Sequence, residues 1–149
     1  MKYFTISELT RSDIASTKKI DNTPNKEITE HLTALVDNLL DPIREEWTKY
    51  CEENKLGSPA IKVTSGYRCK QLNKLLGGAS TSAHLIGYAV DCINVSGDIT
   101  DFYEFILDYL KDKNYDECFI ETSKTSKWIH IALFSIKGFQ RKKNGKLFI

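Results

Sequence analysis

The segment Ala89-Val90-Asp91-Cys92-Ile93 sets the strictest condition on how this chain can fold, because it has the composition of a buried strand and a carboxylate at its centre. An ionised carboxyl flanked by Val90 and Cys92 is costly to bury unless it is paired or holds a metal. Strand alternation puts Ala89, Asp91 and Ile93 on one face and Val90 and Cys92 on the other, so the carboxylate is aimed in a defined direction. Its partners must therefore be residues delivered to that face.

Two further segments offer them. His84 comes shortly before, in the small-residue loop Ser82-Ala83-His84-Leu85-Ile86-Gly87. In Lys127-Trp128-Ile129-His130-Ile131-Ala132-Leu133, alternation places Trp128, His130 and Ala132 on one face and Ile129, Ile131 and Leu133 on the other. Singly, each histidine is an ordinary polar group. With Asp91 they make two imidazoles and one carboxylate, a donor set that suits Zn²⁺ and leaves a fourth position open, as a catalytic site requires. A third group is Glu121, at the end of the strand segment Tyr115 to Glu121. If Ser123-Lys124-Thr125-Ser126 is the hairpin loop, Thr122 pairs with Lys127 and Glu121 lies opposite Trp128, a diagonal step from His130 on the same face. A loop longer by a single residue would turn Glu121 to the opposite face. In the first register its carboxylate is placed to take a proton from an attacking water and pass it to the leaving amine. Glu117, on the same face but further from the turn, is the second candidate for this base.

The rest of the chain frames these segments. Apolar residues recur at Ile28, Leu32, Leu35, Leu39, Ile43, Trp47 and Tyr50, the stripe of an amphipathic helix packed on a core. Thr23 is its expected cap, Pro24 its first helical position, and Pro42 is expected to kink or divide it. His31 borders the stripe with no partner at ligand spacing and reads as a boundary residue. Ala60 to Thr64 reads as a strand entering Ser65-Gly66-Tyr67-Arg68, and Lys70 to Leu76 as a short helix stopped by Gly77-Gly78. Tyr88 to Asn94 is a strand, Thr100 to Lys111 a helix and Lys127 to Phe134 a strand, with Lys146 to Ile149 as an edge strand after an Asn144-Gly145 turn. Grouped helices followed by a hairpin predict an α+β domain spanning residues 1–149. A small antiparallel sheet carries the zinc site and helices flank it.

Composition narrows the partners. The net charge is +1, which gives no broad basic surface for nucleic acid. The one basic run, Lys137 to Lys146, reads as a solvated turn, with attraction to an anionic wall polymer as the functional alternative. No stretch has the apolar length of a membrane helix, and Met1-Lys2-Tyr3-Phe4-Thr5 has no apolar signal core. The expectation is a product made in the cytoplasm without a signal peptide and released or carried to any target outside the membrane. Cys51, Cys69, Cys92 and Cys118 are scattered with no C-x-x-C pair and read as buried free thiols.

At this point a family resemblance becomes specific. Ser65-Gly66-Tyr67-Arg68, Asn73, Gly77-Gly78, Ser82-x-His84-x-x-Gly87-x-Ala89-x-Asp91 and Trp128-x-His130 resemble the zinc D-alanyl-D-alanine carboxypeptidases, which include phage endolysins and vancomycin-resistance D,D-peptidases. Phe4-x-x-x-Glu8-x-x-x-Ser12 and Asn22-Thr23-Pro24 fit the compact phage-type branch. The resemblance covers nearly the whole chain and implies the hedgehog/D-Ala-D-Ala peptidase-like fold. It implies that His84, Asp91 and His130 bind Zn²⁺, that Arg68 holds a substrate carboxylate or polarises the scissile carbonyl, and that Ser82 hydrogen-bonds substrate near the metal. Some branches place an acidic base three residues before the last histidine, where this chain has Lys127; Glu121 matches the acidic residue that the compact branch places before Trp-x-His. Cys69 after the arginine is a further departure. The implied activity is hydrolysis of peptidoglycan stem-peptide amides, as a carboxypeptidase or an endolysin-type endopeptidase, by a monomer acting on the cell wall. The alternative is a non-catalytic zinc module that recognises wall peptide or a viral assembly partner.

Overall fold

A computed structural model of the chain describes residues 1–149. Two short helices, α1 (Ile6–Thr10) and α2 (Asp13–Thr17), precede the long helical stretch. That stretch comprises α3 (Lys26–Leu35), a π-helical turn (Val36–Leu40) and α4 (Asp41–Glu53). Next come β1 (Ile61–Ser65), α5 (Lys70–Leu75), a 3₁₀ turn (Ala83–Ile86), β2 (Ala89–Asn94), α6 (Ile99–Leu110), β3 (Glu117–Thr122), β4 (Lys127–Ala132) and β5 (Lys143–Phe148). The architecture is α+β: one sheet in the order β1-β2-β4-β3-β5, antiparallel at every pairing except the parallel β3–β5 edge.

The long helical stretch differs from expectation at its start. Asn25, not Thr23, is the cap, accepting the Ile28 N–H at 2.8 Å, and Thr23-Pro24 lies outside the helix. Both Asn and Thr cap well, but only Asn25 stands three residues before Ile28, the spacing at which a cap side chain meets the third helical N–H. Pro42 divides the helix as expected. The missing N–H and the ring bulk are absorbed by the π turn just ahead of it, and the backbone stays helical through Asp41. Ile28, Leu32, Leu35, Leu39, Ile43 and Trp47 are all buried, against a core that also takes Phe102, Ile106 and Leu110 from α6. His31 sits at the boundary, stacked on Tyr88 with ring centroids 4.0 Å apart.

The sheet has two unlike faces. Val90, Cys92, Cys118, Ile120, Ile129 and Ile131 point into the helices and belong to the main core. The opposite face carries Asp91 and His130 beside a small cluster of Ala83, Ala89 and Ala132. Three of the cysteines are buried free thiols, whereas Cys69 is half-exposed.

The C-terminal segment corrects two expectations. Asn144-Gly145 is not a turn but lies within β5, paired with Cys118 and Phe119 of β3. Gly145, at φ +141°, brings its N–H to the Tyr103 hydroxyl at 2.8 Å, a backbone setting that only glycine adopts freely. Nor is the basic run merely a solvated turn. Arg141 makes a two-pronged pair with the fully buried Asp116, Nε to Oδ1 and Nη2 to Oδ2, both at 2.8 Å. Burial pushes the Asp116 carboxyl up, but the Arg141 hydrogen bonds outweigh it and hold the pKa below its ordinary value.

Arg141→Met leaves that carboxylate buried without its counter-charge, with the residue-141 backbone N–H at 3.1 Å as the partner it keeps there. Urea denaturation near neutral pH should show a loss of roughly 2–3 kcal/mol, at the lower end for a broken buried pair because the arginine side chain is 41 % exposed. A lowered folded-state pKa stabilises fully above the unfolded value of 3.8 and fades as pH falls through the folded one. The difference between wild type and variant should therefore narrow in acid; a difference that stays constant would assign the loss to packing instead.

Candidate metal centre

The β2–β4 pairing sets Asp91 directly opposite His130, and the 3₁₀ turn before β2 brings His84 onto the same face. Asp91 Oδ1 lies 3.3 Å from His84 Nε2 and 3.1 Å from His130 Nδ1. One ligand atom from each of these residues falls within 4.8 Å of the others. Asp91 Oδ2 accepts from Arg68 Nη2 at 3.1 Å.

Each donor is oriented from behind. His84 Nδ1 is 2.7 Å from the Gly66 carbonyl, an acceptor only, so Nδ1 carries the proton and Nε2 presents its lone pair to the site. Gly66 is required there, since a Cβ would lie 2.0 Å from the Leu9 carbonyl oxygen. The loop is pinned further by Tyr67 N–H donating to that carbonyl and Arg68 N–H donating to the His84 carbonyl. Buried Asn22 completes it, donating to the carbonyls of Thr10 and Tyr67 and accepting from Cys69 N–H. Ser82 caps the 3₁₀ turn by accepting from His84 N–H at 3.2 Å, which leaves its hydroxyl proton free.

Charge follows from these contacts. Burial pushes the His84 imidazole below its ordinary pKa and keeps it neutral. Burial alone would raise Asp91, but the imidazoles of His84 and His130 outweigh it and drive its pKa far below the usual carboxylate range. His130 is pushed up to about 10: burial opposes the rise, and the hydrogen bonds to Asp91 and Glu117 win. A neutral His84 Nε2 and an ionised Asp91 oxygen are both acceptors, yet they face each other across 3.3 Å. A cation between them removes this conflict, so the donor set fits a divalent metal.

The hairpin has the register expected from the four-residue loop: Thr122 pairs with Lys127 and Glu121 with Trp128. Ser123 shapes the turn by accepting the N–H groups of Thr125 and Ser126 on its hydroxyl. Glu121 Oε1 thus comes to 3.8 Å from His130 Nδ1, the ring nitrogen that also faces Asp91. Burial, helped by the Asp91 charge, raises its pKa above the ordinary value. Glu117 lies instead behind His130, with Oε1 at 3.3 Å from Nε2. Lys127 is exposed and joins none of these contacts.

Arg68 is engaged by the protein itself, donating from Nε to Ser65 Oγ, from Nη1 to Asn73 Oδ1 and from Nη2 to Asp91. Each terminal nitrogen keeps one further N–H. A cleft of about 680 Å³, walled by Arg11, Asp13 and Lys62 among others, reaches Ser65 and Arg68. Roles for Asn22, Ser65, Asn73 and the Gly66 carbonyl were not foreseen, although all four residues stand in the stretches that carry the family resemblance.

The comparison with protein families agrees with this geometry. The model of the Peptidase M15 family matches residues 2–132, and the chain belongs to that family of metal-dependent peptidases. No curated protein matches the chain. No helix is long and apolar enough to cross a membrane.

A metal that binds only the folded ligand set stabilises it by mass action, by about 2.7 kcal/mol at a hundredfold excess over Kd. For a chain of this length, that should raise the melting temperature in Zn²⁺ by about 5–10 °C relative to chelator. Asp91→Asn should abolish the shift; a shift that survives in the variant would place the metal elsewhere.

Proposed function

We propose that the chain is a single-domain, zinc-dependent peptidase that hydrolyses amide bonds in the stem peptides of bacterial peptidoglycan. The observation that carries this reading is the convergence of His84 Nε2, Asp91 Oδ1 and His130 Nδ1 on one point, with a half-buried carboxylate beside them. Membership of the Peptidase M15 family supports it. His84, Asp91 and His130 hold the zinc, which when bound supplies a Lewis acid to the reacting carbonyl.

The protein's own groups do the rest. Glu121, whose pKa is raised by burial, takes a proton from the attacking water and returns it to the leaving nitrogen. A pKa lifted toward neutrality suits a group that must both accept and release a proton. The two unengaged N–H groups of Arg68 face negative charge, either a terminal carboxylate of the substrate or the charge developing on the carbonyl oxygen. The free Ser82 hydroxyl proton donates to a substrate carbonyl near the ligand set. The cleft beside β1 accepts the part of the peptide that continues past Arg68. The bond is the terminal D-Ala-D-Ala amide or an internal bond of the stem peptide, and the protein works as a monomer on the cell wall after release from the cytoplasm.

Purified cell wall digested with the zinc-loaded protein should yield fragments whose masses, read by mass spectrometry, identify the bond. His84→Ala should release none. Glu121→Gln should keep its zinc and lose activity by about 10²–10⁴-fold. Stoichiometric zinc in the wild type with no fragment released from any wall type would sink the enzymatic reading in favour of a non-catalytic zinc module.

A further inference from the structure

The ring of His130 has two nitrogens, and the structure gives them different neighbours. Nδ1 faces Asp91 Oδ1 at 3.1 Å, and Nε2 faces Glu117 Oε1 at 3.3 Å. A neutral imidazole carries one proton, and a ligand nitrogen must be the one without it. With nothing on the far side of the ring, the proton could settle on either nitrogen, and the Nδ1–H form could not coordinate.

We propose that Glu117 is a positioning residue that holds the proton of His130 on Nε2, so that Nδ1 is the atom offered to the metal. Glu117 is itself held. Its other oxygen, Oε2, lies 3.7 Å from Arg141 Nη2, the same nitrogen that binds Asp116 Oδ2 at 2.8 Å. Arg141 lies outside the residues matched by the family model, in the segment that turns back to form β5. The C-terminal segment thereby acts on the ligand set through the relay Arg141, Glu117 and His130. The relay also separates the two glutamates: Glu121 stands near Nδ1 of His130, and Glu117 is committed to Nε2.

This inference rests on the zinc reading above, and the test keeps the two apart. Zinc affinity is measured by competition with a chelator, and the His130 tautomer by imidazole ¹⁵N NMR of the zinc-loaded protein. Wild type should show Nε2 protonated and Nδ1 coordinated. Glu117→Leu, which removes the acceptor, should weaken zinc binding by about 10–100-fold and lose the Nε2–H signal. Glu117→Gln keeps an acceptor oxygen without the charge, and should restore affinity to within a few-fold of wild type together with the tautomer. Glu121→Gln should leave zinc affinity unchanged. Wild-type affinity and tautomer in Glu117→Leu would overturn the proposal. Glu117→Gln binding as weakly as Glu117→Leu would also overturn it, because charge rather than the hydrogen bond would then be responsible. A wild-type protein that binds no zinc would instead overturn the proposed function.

Discussion

The placement of one buried carboxylate organises this structure. Asp91 stands in an interior strand, where the His130 imidazole and the Arg68 guanidinium pair with its carboxylate and His84 Nε2 faces it from a third side. Each of those groups is delivered by a different piece of chain: a loop after β1, the 3₁₀ turn before β2, and β4. Removing either charged partner, His130 or Arg68, would strip compensation from a buried carboxylate, at a cost of several kcal/mol. The loop architecture around residues 65–87 is therefore understood as support for an electrostatic arrangement, with Gly66, Asn22 and Asn73 supplying close approach and hydrogen bonds.

The two faces of the sheet divide the labour. One is filled with branched side chains and two cysteine thiols and carries the stability of the fold through α3, α4 and α6. The other is kept small by Ala83, Ala89 and Ala132, which lie beside the polar cluster. Alternation along β2 and β4 produces both faces from the same strands, which couples the core to the geometry of the site. A slip of β4 by a single position would bury His130 among the helices and expose Ile129.

Much of this was legible in the sequence. The apolar stripe from Ile28 to Trp47 and the alternation around Asp91 and His130 are periodic signals, and periodicity survives folding because it is what burial selects. The face of Glu121 followed from the sequence only under a supposed four-residue loop, since one more residue would have reversed it, and the observed register is that of the four-residue loop. What escaped was long-range or local competition. Asn25 displaced Thr23 as helix cap by a contest between neighbouring residues with similar propensity. The Asp116–Arg141 pair joins residues 25 apart in sequence, and an arginine in a lysine-rich run gives no local sign that it will pair with a buried aspartate. The Asn144-Gly145 pair carries a turn signature that tertiary contact with Tyr103 overrides.

The parallel pairing of β5 with β3 has a consequence for motion. Without it, β3 would be the rim of the sheet, with half its backbone groups open to solvent and free to fray. With β5 in place, the strand that carries both glutamates is interior, and the exposed rim is passed to residues 143–148. Local opening of the site's acidic strand then requires the tail to detach first, so the two belong to one cooperative unit. The slow exchange of β3 amides would report on tail docking, and the tail becomes a place where the precision of the site can change without altering any residue that lines it.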